Sequence, residues 1–251
     1  ISRIQVTRAA REPLLFTRQA SDWILAGSSD LPASSIQIHA LLALLQAQAA
    51  RSYPADSLDL KALGLNPPQA TLQLDDTSFD IGITDAVDKL RYVHTGNTVF
   101  LVTDRYQHLI NADWSSFVDR RLLPVSASLT RLQLPEFTLS LTADRQWQLS
   151  PADPAISTTA LQSLVSSWEQ ATAYYVRRHQ GDADTGTITL EFSEHEKPVT
   201  MQIIAHSPEL ILARPELGIQ YHLHVDMVQM LLALPVDHQE TDTSSVTPLP
   251  Q

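Results

Sequence analysis

The residues that come closest to a chemical arrangement are His222-x-His224 with Asp226 behind them. Alternate residues on a strand face the same way, so two imidazoles and a carboxylate could meet a metal ion there. At an offset of about 122 residues, however, the same two positions are Phe100 and Val102, which are apolar strand positions. The expectation is therefore two packed or hydrogen-bonded strand histidines, with Asp226 serving as a helix N-cap. His195-Glu196 opens like the zincin His-Glu-x-x-His, but Val199 stands where the second histidine belongs, and the pair falls in a polar turn rather than a helix. No Gly-x-Ser-x-Gly elbow surrounds Ser28, Ser29 or Ser34, which read as turn and cap residues. Seven scattered glycines form no phosphate-cradling loop. Asp75-Asp76 and Asp182-Ala-Asp184 lie in polar turns, too few to make a calcium loop. Trp23 and Trp147, which could stack on a sugar, recur beside Leu25 and Leu149 and read instead as core plugs. Arg120-Arg121 and Arg177-Arg178-His179 are short basic clusters, expected at helix ends where they meet the macrodipole. These readings assign no catalytic, cofactor-binding or metal residue, and the chain is expected not to be an enzyme.

The elements that must carry these residues follow from composition and pattern. The 251 residues hold 17 Lys+Arg against 28 Asp+Glu, a net charge of −11, with 43% apolar residues and no cysteine. That length suits one large domain or two small ones. Without cysteine there is no thiolate nucleophile, cysteine zinc site or disulfide. A strongly acidic chain without a basic stripe does not suit nucleic acid, whose phosphates demand Lys and Arg. The longest apolar stretch, near Ile36 to Leu45, falls far short of the roughly 18 to 20 residues that a membrane helix needs.

Self-similarity at an offset of about 122 to 124 residues organises the chain. SDWILAGSSDLPASS repeats as DRQWQLSPADPAIST, a Trp-x-Leu strand running into a Pro-containing loop and a helix start. Ser34 with Gln37, and Thr159 with Gln162, have capping-box spacing. The helices behind them place Ile38, Leu41, Leu42, Leu45 and Ala49, and 123 positions on Leu161, Leu164, Val165, Trp168 and Thr172, on one amphipathic face. Hairpins follow: 71–74 with 79–81, and 187–192 with 199–204; then 91–94 with 98–103, and 209–213 with 219–224. Each copy closes with a short helix announced by Asp-x-x-Gln, Asp104 with Gln107 and Asp226 with Gln229. Between them Gly64, before Pro67-Pro68, is placed to end a helical turn in the left-handed conformation. The expected class is α+β, an internal duplication of a roughly 120-residue unit with mostly antiparallel sheet and one main amphipathic helix per copy. The first lobe, with its connector, takes residues 1–124, and the second takes 125–236. A polar tail, 237–251, is expected to be disordered.

The set Trp-x-Leu strand, Pro loop, capped Leu-rich helix, ALGLNPPQATLQL, RYVHTGNTVFLVTD and FVDRRLLP resembles the family known as domain of unknown function 4340. The likeness reaches to about Pro235 and is strongest from Leu60 to Pro124; the second copy carries QGDADTG in place of the Gly-Leu-Asn-Pro segment. The resemblance implies a bacterial envelope protein, with an N-terminal anchor and a domain on the periplasmic side of the inner membrane, encoded beside gliding-motility-type ABC transporters. A start at Ile1 rather than Met accords with a trimmed anchor or signal, and contact with the membrane is expected only through it. The implied role is an accessory subunit whose partners are the transporter's permease and ATPase. The alternative is a ligand-binding module using the cleft between two lobes. The resemblance brings no catalytic residues and no cofactor.

Overall fold

A computed structural model describes residues 1–105, 107–124, 128–181, 185–193 and 198–235. In its first sheet are β1 (Arg3–Arg8), β2 (Leu14–Gln19), β3 (Asp22–Ala26), β4 (Leu31–Pro32), β5 (Ala49–Pro54), β6 (Ala70–Leu74), β7 (Thr77–Thr84), β8 (Leu90–Thr95) and β9 (Thr98–Thr103). Helix α1 (Ser35–Leu42) lies between β4 and β5, and α2 (Gln107–Asn111) follows β9. The strand order is β4-β3-β2-β1-β6-β7-β8-β9-β5, antiparallel throughout. The second sheet contains β10 (Leu129–Gln133), β11 (Thr138–Leu141), β12 (Trp147–Ser150), β13 (Tyr175–Arg178), β14 (Gly186–Phe192), β15 (Val199–Ala205), β16 (Leu210–Arg214) and β17 (Ile219–Leu223). Helix α3 (Thr158–Gln170) follows β12, and α4 (Met227–Leu232) follows β17. Its order is β12-β11-β10-β14-β15-β16-β17-β13. Leaving aside the two-residue β4, the two sheets run through their equivalent strands in the same order. The class is thus α+β with mostly antiparallel sheet.

The chain divides into two compact units. The first takes Ile1–Arg120 together with Tyr175–Gln180 and Pro215–Gln220; the second takes Arg121–Tyr174, Gly181–Arg214 and Tyr221–Gln251. The expected division at 124/125 was a single cut, whereas two short later segments here join the first unit. The tail at 237–251 lies outside the described residues.

Period-two alternation builds both cores. Ile4 and Val6 of β1, Leu14 and Phe16 of β2, and Trp23 and Leu25 of β3 are buried. Phe16 meets Phe117 of the 3₁₀ turn Trp114–Phe117 with ring centroids 5.2 Å apart. Helix α1 closes this face with Ile38 and Leu41. In the second unit Ala160, Leu161, Leu164, Val165 and Trp168 of α3 are buried, and the Trp168 indole Nε1–H donates to the Leu231 carbonyl at 2.9 Å, fastening α4 to α3. Trp23 and Trp147 are both core residues, as their recurrence indicates.

Several local expectations are corrected. The first amphipathic helix ends at Leu42, passes through a 3₁₀ turn at Ala43–Gln46, and becomes β5, so Ala49 lies on a strand and Leu45 is exposed. The open edge of β9 needs backbone partners, and pairing from Ala49↔Val102 to Pro54↔Thr98 overrides the helix propensity of an Ala-rich segment. Likewise α3 stops at Gln170, and β13 takes up the chain at Tyr175. Ser34 occupies the N-cap of α1 but forms no side-chain cap bond. The cap of α3 is Ser157 rather than Thr159, its Oγ accepting from the Ala160 amide at 3.1 Å. Asp226 sits at the N-cap of α4 without a side-chain cap bond, because its carboxylate faces His224. Arg177 and Arg178 lie on a strand rather than at a helix end.

Candidate functional site

The paired histidines separate. His222 on β17 is 4% exposed, and its Nδ1 lies 2.9 Å from Glu209 Oε2. His224, one residue past the strand, is half-exposed, and its Nδ1 lies 2.9 Å from Asp226 Oδ2. Each imidazole faces a different carboxylate, and among the described residues no three metal-ligating side chains cluster. His195-Glu196 and Asp182-Ala-Asp184 lie outside the described residues. Asp75 turns its carboxylate onto the Ser2 and Arg3 amides, both at 2.9 Å, and these bonds hold it below the ordinary carboxylate range. It is a turn carboxylate, as its setting implies.

The segment from Leu60 to Gln69 builds a compact loop against β7 and β8. Asp59 accepts from the Lys61 and Ala62 amides and starts its first turn. Gly64 takes φ +65° and ends that turn, as its place before the prolines predicts. Leu60, Leu63 and Leu65 then pack with Ala55, Leu58, Val99 and Tyr92, and the Ile83 amide donates to the Leu63 carbonyl at 2.9 Å. A Cβ on Gly82 would collide with that same carbonyl oxygen. The Gly82 carbonyl accepts from Arg91 Nη1 at 2.6 Å. Arg91, 3% exposed, also holds Asp104 through Nε at 2.8 Å and Nη2 at 2.9 Å, and Thr84 donates to Asp104 Oδ2 at 2.6 Å. Asp104 is thus the anionic half of a largely buried bidentate pair.

One arrangement in the first unit with room for a ligand is a cleft of about 1010 Å³ between the β1–β2 turn, the end of β3 and the residues after α2. Its charged lining is Arg8, Arg11, Arg178, Glu12 and Asp113. Arg8 continues the inward phase of Ile4 and Val6 and is 9% exposed. Its Nη1 donates to the Ile110 and Ala112 carbonyls, while its buried Nε has no partner. Burial first, and then the neighbouring Arg11 cation, lower the Arg8 pKa, with Asp113 opposing. Arg11 Nη1 donates to the Asn111 carbonyl at 2.7 Å. Asp113 caps the following turn by accepting from the Trp114 amide at 2.8 Å, and the Arg178 guanidinium lies 4.2 Å from the Trp114 ring centroid. Sequence reading passed over Arg8 and the Arg178–Trp114 contact. The available sign was an arginine at the third inward position of an otherwise apolar strand face.

Against known families, residues 23–191 match the model described as Domain of unknown function (DUF4340), so the chain belongs to that family. No curated protein and no solved structure matches it significantly.

Proposed function

We propose that this chain is the periplasmic part of a membrane-anchored accessory subunit of a bacterial ABC transporter, and that it arose by duplication of a unit of roughly 120 residues. It acts by protein contact with the transporter's permease and ATPase and uses no cofactor. Family membership across residues 23–191 carries the reading, together with the setting in which the resemblance places that family. The pairing of His222 with Glu209, His224 with Asp226 and Arg91 with Asp104 supports contact over catalysis, since these acid and base groups engage one another. The equal strand order of the two sheets supports the duplication.

The test is co-purification of the protein with its native N-terminus from gently solubilised membranes, with partners identified by mass spectrometry. Recovery of a permease and its ATPase in stoichiometric amounts is the expected result. A protein that comes down alone, or fractionates with cytosol, overturns the reading.

A further inference from the structure

We propose that the cleft lined by Arg8, Arg11 and Arg178 binds a small monocarboxylate, its carboxylate taken by the guanidiniums and its apolar portion laid on Pro13, Leu14 and Leu25. Three observations carry this. First, Arg8 is buried deeply enough that each unpaired N–H on it is costly, and Nε has no partner. Its bonds to the carbonyls of Ile110 and Ala112 use Nη1 and its Nε is enclosed, so Nη2 is the end of the guanidinium left for a carboxylate in the cleft. Second, in a chain of net charge −11 the cleft brings together three cations and two carboxylates. The single excess positive charge suits one carboxylate better than a dianionic phosphate. Third, the Arg178 guanidinium carbon lies 4.2 Å from the Trp114 ring centroid, a contact that restrains a side chain that would otherwise lose rotamer freedom on binding. The volume of about 1010 Å³ is at the upper end of small-molecule sites, so the ligand extends beyond its charged group.

The site lies wholly within the first unit and is independent of the transporter reading; its test uses purified protein alone. Benzoate and hexanoate, with inorganic phosphate and sodium chloride at matched ionic strength as comparisons, are titrated while the four tryptophan indole N–H resonances are followed by NMR. The Trp114→Phe variant identifies the relevant peak. The expected result is a saturable shift of the Trp114 resonance with benzoate or hexanoate, with Kd on the order of 1 mM or tighter. Arg178→Gln and Arg11→Gln each weaken binding by roughly tenfold, the loss of one charge-assisted hydrogen bond. Glu12→Gln tightens it, because a competing carboxylate is removed; a purely structural cluster would show no such gain. Arg8→Lys keeps the charge but loses the Nη2 donor, and binding weakens while the folded spectrum persists. The proposal is overturned if no carboxylate moves the Trp114 resonance, if Arg178→Gln binds as well as the parent, or if phosphate binds more tightly than both carboxylates.

Discussion

Asp104→Asn isolates the buried pair on which the first unit's Gly-Leu-Asn-Pro loop leans. In the parent, Arg91 and Asp104 have side-chain exposures of 4% and 13% and share two short bonds. The substitution leaves the Arg91 cation buried with the Gly82 carbonyl at 2.6 Å and Gln69 Oε1 at 3.4 Å, both neutral. Removing one partner of a buried pair costs about 3 to 5 kcal/mol, and the partial exposure of Asp104 places this case near 3. For a chain of this size about 3 kcal/mol corresponds to a melting shift of about 6 to 12 °C. Urea unfolding supplies the free energy, and amide exchange in β7, β8 and β9 locates it, since two compact units need not unfold together. The double variant Arg91→Met/Asp104→Leu removes both charges and is expected to be less destabilised than the two single changes combined, with a coupling of roughly 2 kcal/mol. A loss below about 1 kcal/mol for Asp104→Asn, or strict additivity in the cycle, refutes the idea that the charges depend on each other.

Gly82→Ala drives a methyl into the Leu63 carbonyl and the Leu65 side chain, the latter at 3.0 Å, and is expected to cost about 1 to 3 kcal/mol in urea unfolding. Gly96→Ala meets nothing within 4 Å but sits at φ +57°, so roughly 1 to 2 kcal/mol of backbone strain is its whole expected cost. Trp168→Phe removes the bond to the Leu231 carbonyl and is expected to accelerate amide exchange in α4 before the rest of the second unit; uniform acceleration would show that the indole does not tether α4. Asp85 accepts from the Asp88 amide at 2.7 Å and the Val87 amide at 3.0 Å, which hold its pKa below the ordinary 3.8. A depressed carboxylate contributes stability above its unfolded pKa and loses it as pH falls through the folded value. The melting-temperature gap between parent and Asp85→Asn should therefore be constant at neutral pH and close on acidification below about 3.8; a gap that persists unchanged to the acid limit contradicts this origin.

Strands and hairpins were legible because period-two burial is a local property: β6 with β7, and β8 with β9, fall where alternation places them. The edge strands β5 and β13 were not. Each follows a helix with no turn-forming glycine between, and in β5 every residue is exposed, so no alternation announces it. What makes β5 a strand is the unpaired rim of β9, a demand set by tertiary structure. Helix caps failed for a related reason. Ser, Thr and Asp at cap spacing are also free to serve other partners, and Asp226 turns its carboxylate to His224 instead. The cleft around Arg8 was illegible because its parts come from β1, the residues after α2, and β13, far apart in the chain.

The two matched aspartates, Asp104 and Asp226, serve different partners for a physical reason. Asp104 corresponds to Asp226 at an offset of 122, and the pairing of Ile81 with Val93 and of Ile203 with Leu212 matches Arg91 to Leu210, which is fully buried. With a leucine at 210 in place of the guanidinium, Asp226 stands exposed beside His224. The second copy also lacks the Gly-Leu-Asn-Pro loop. The two absences belong together. In the first copy the loop presses its Leu63 carbonyl where a side chain at 82 would lie, the bare Gly82 leaves its own carbonyl facing inward, and Arg91 satisfies that carbonyl while Asp104 neutralises Arg91. Loop, glycine, arginine and aspartate thus form one physical device, in which each member creates the polar or steric problem that the next one solves. Restoring only the arginine in the second copy, Leu210→Arg, would bury a cation without the loop and glycine that present a carbonyl to Arg91, and the expected result is destabilisation of that unit rather than a second ion pair.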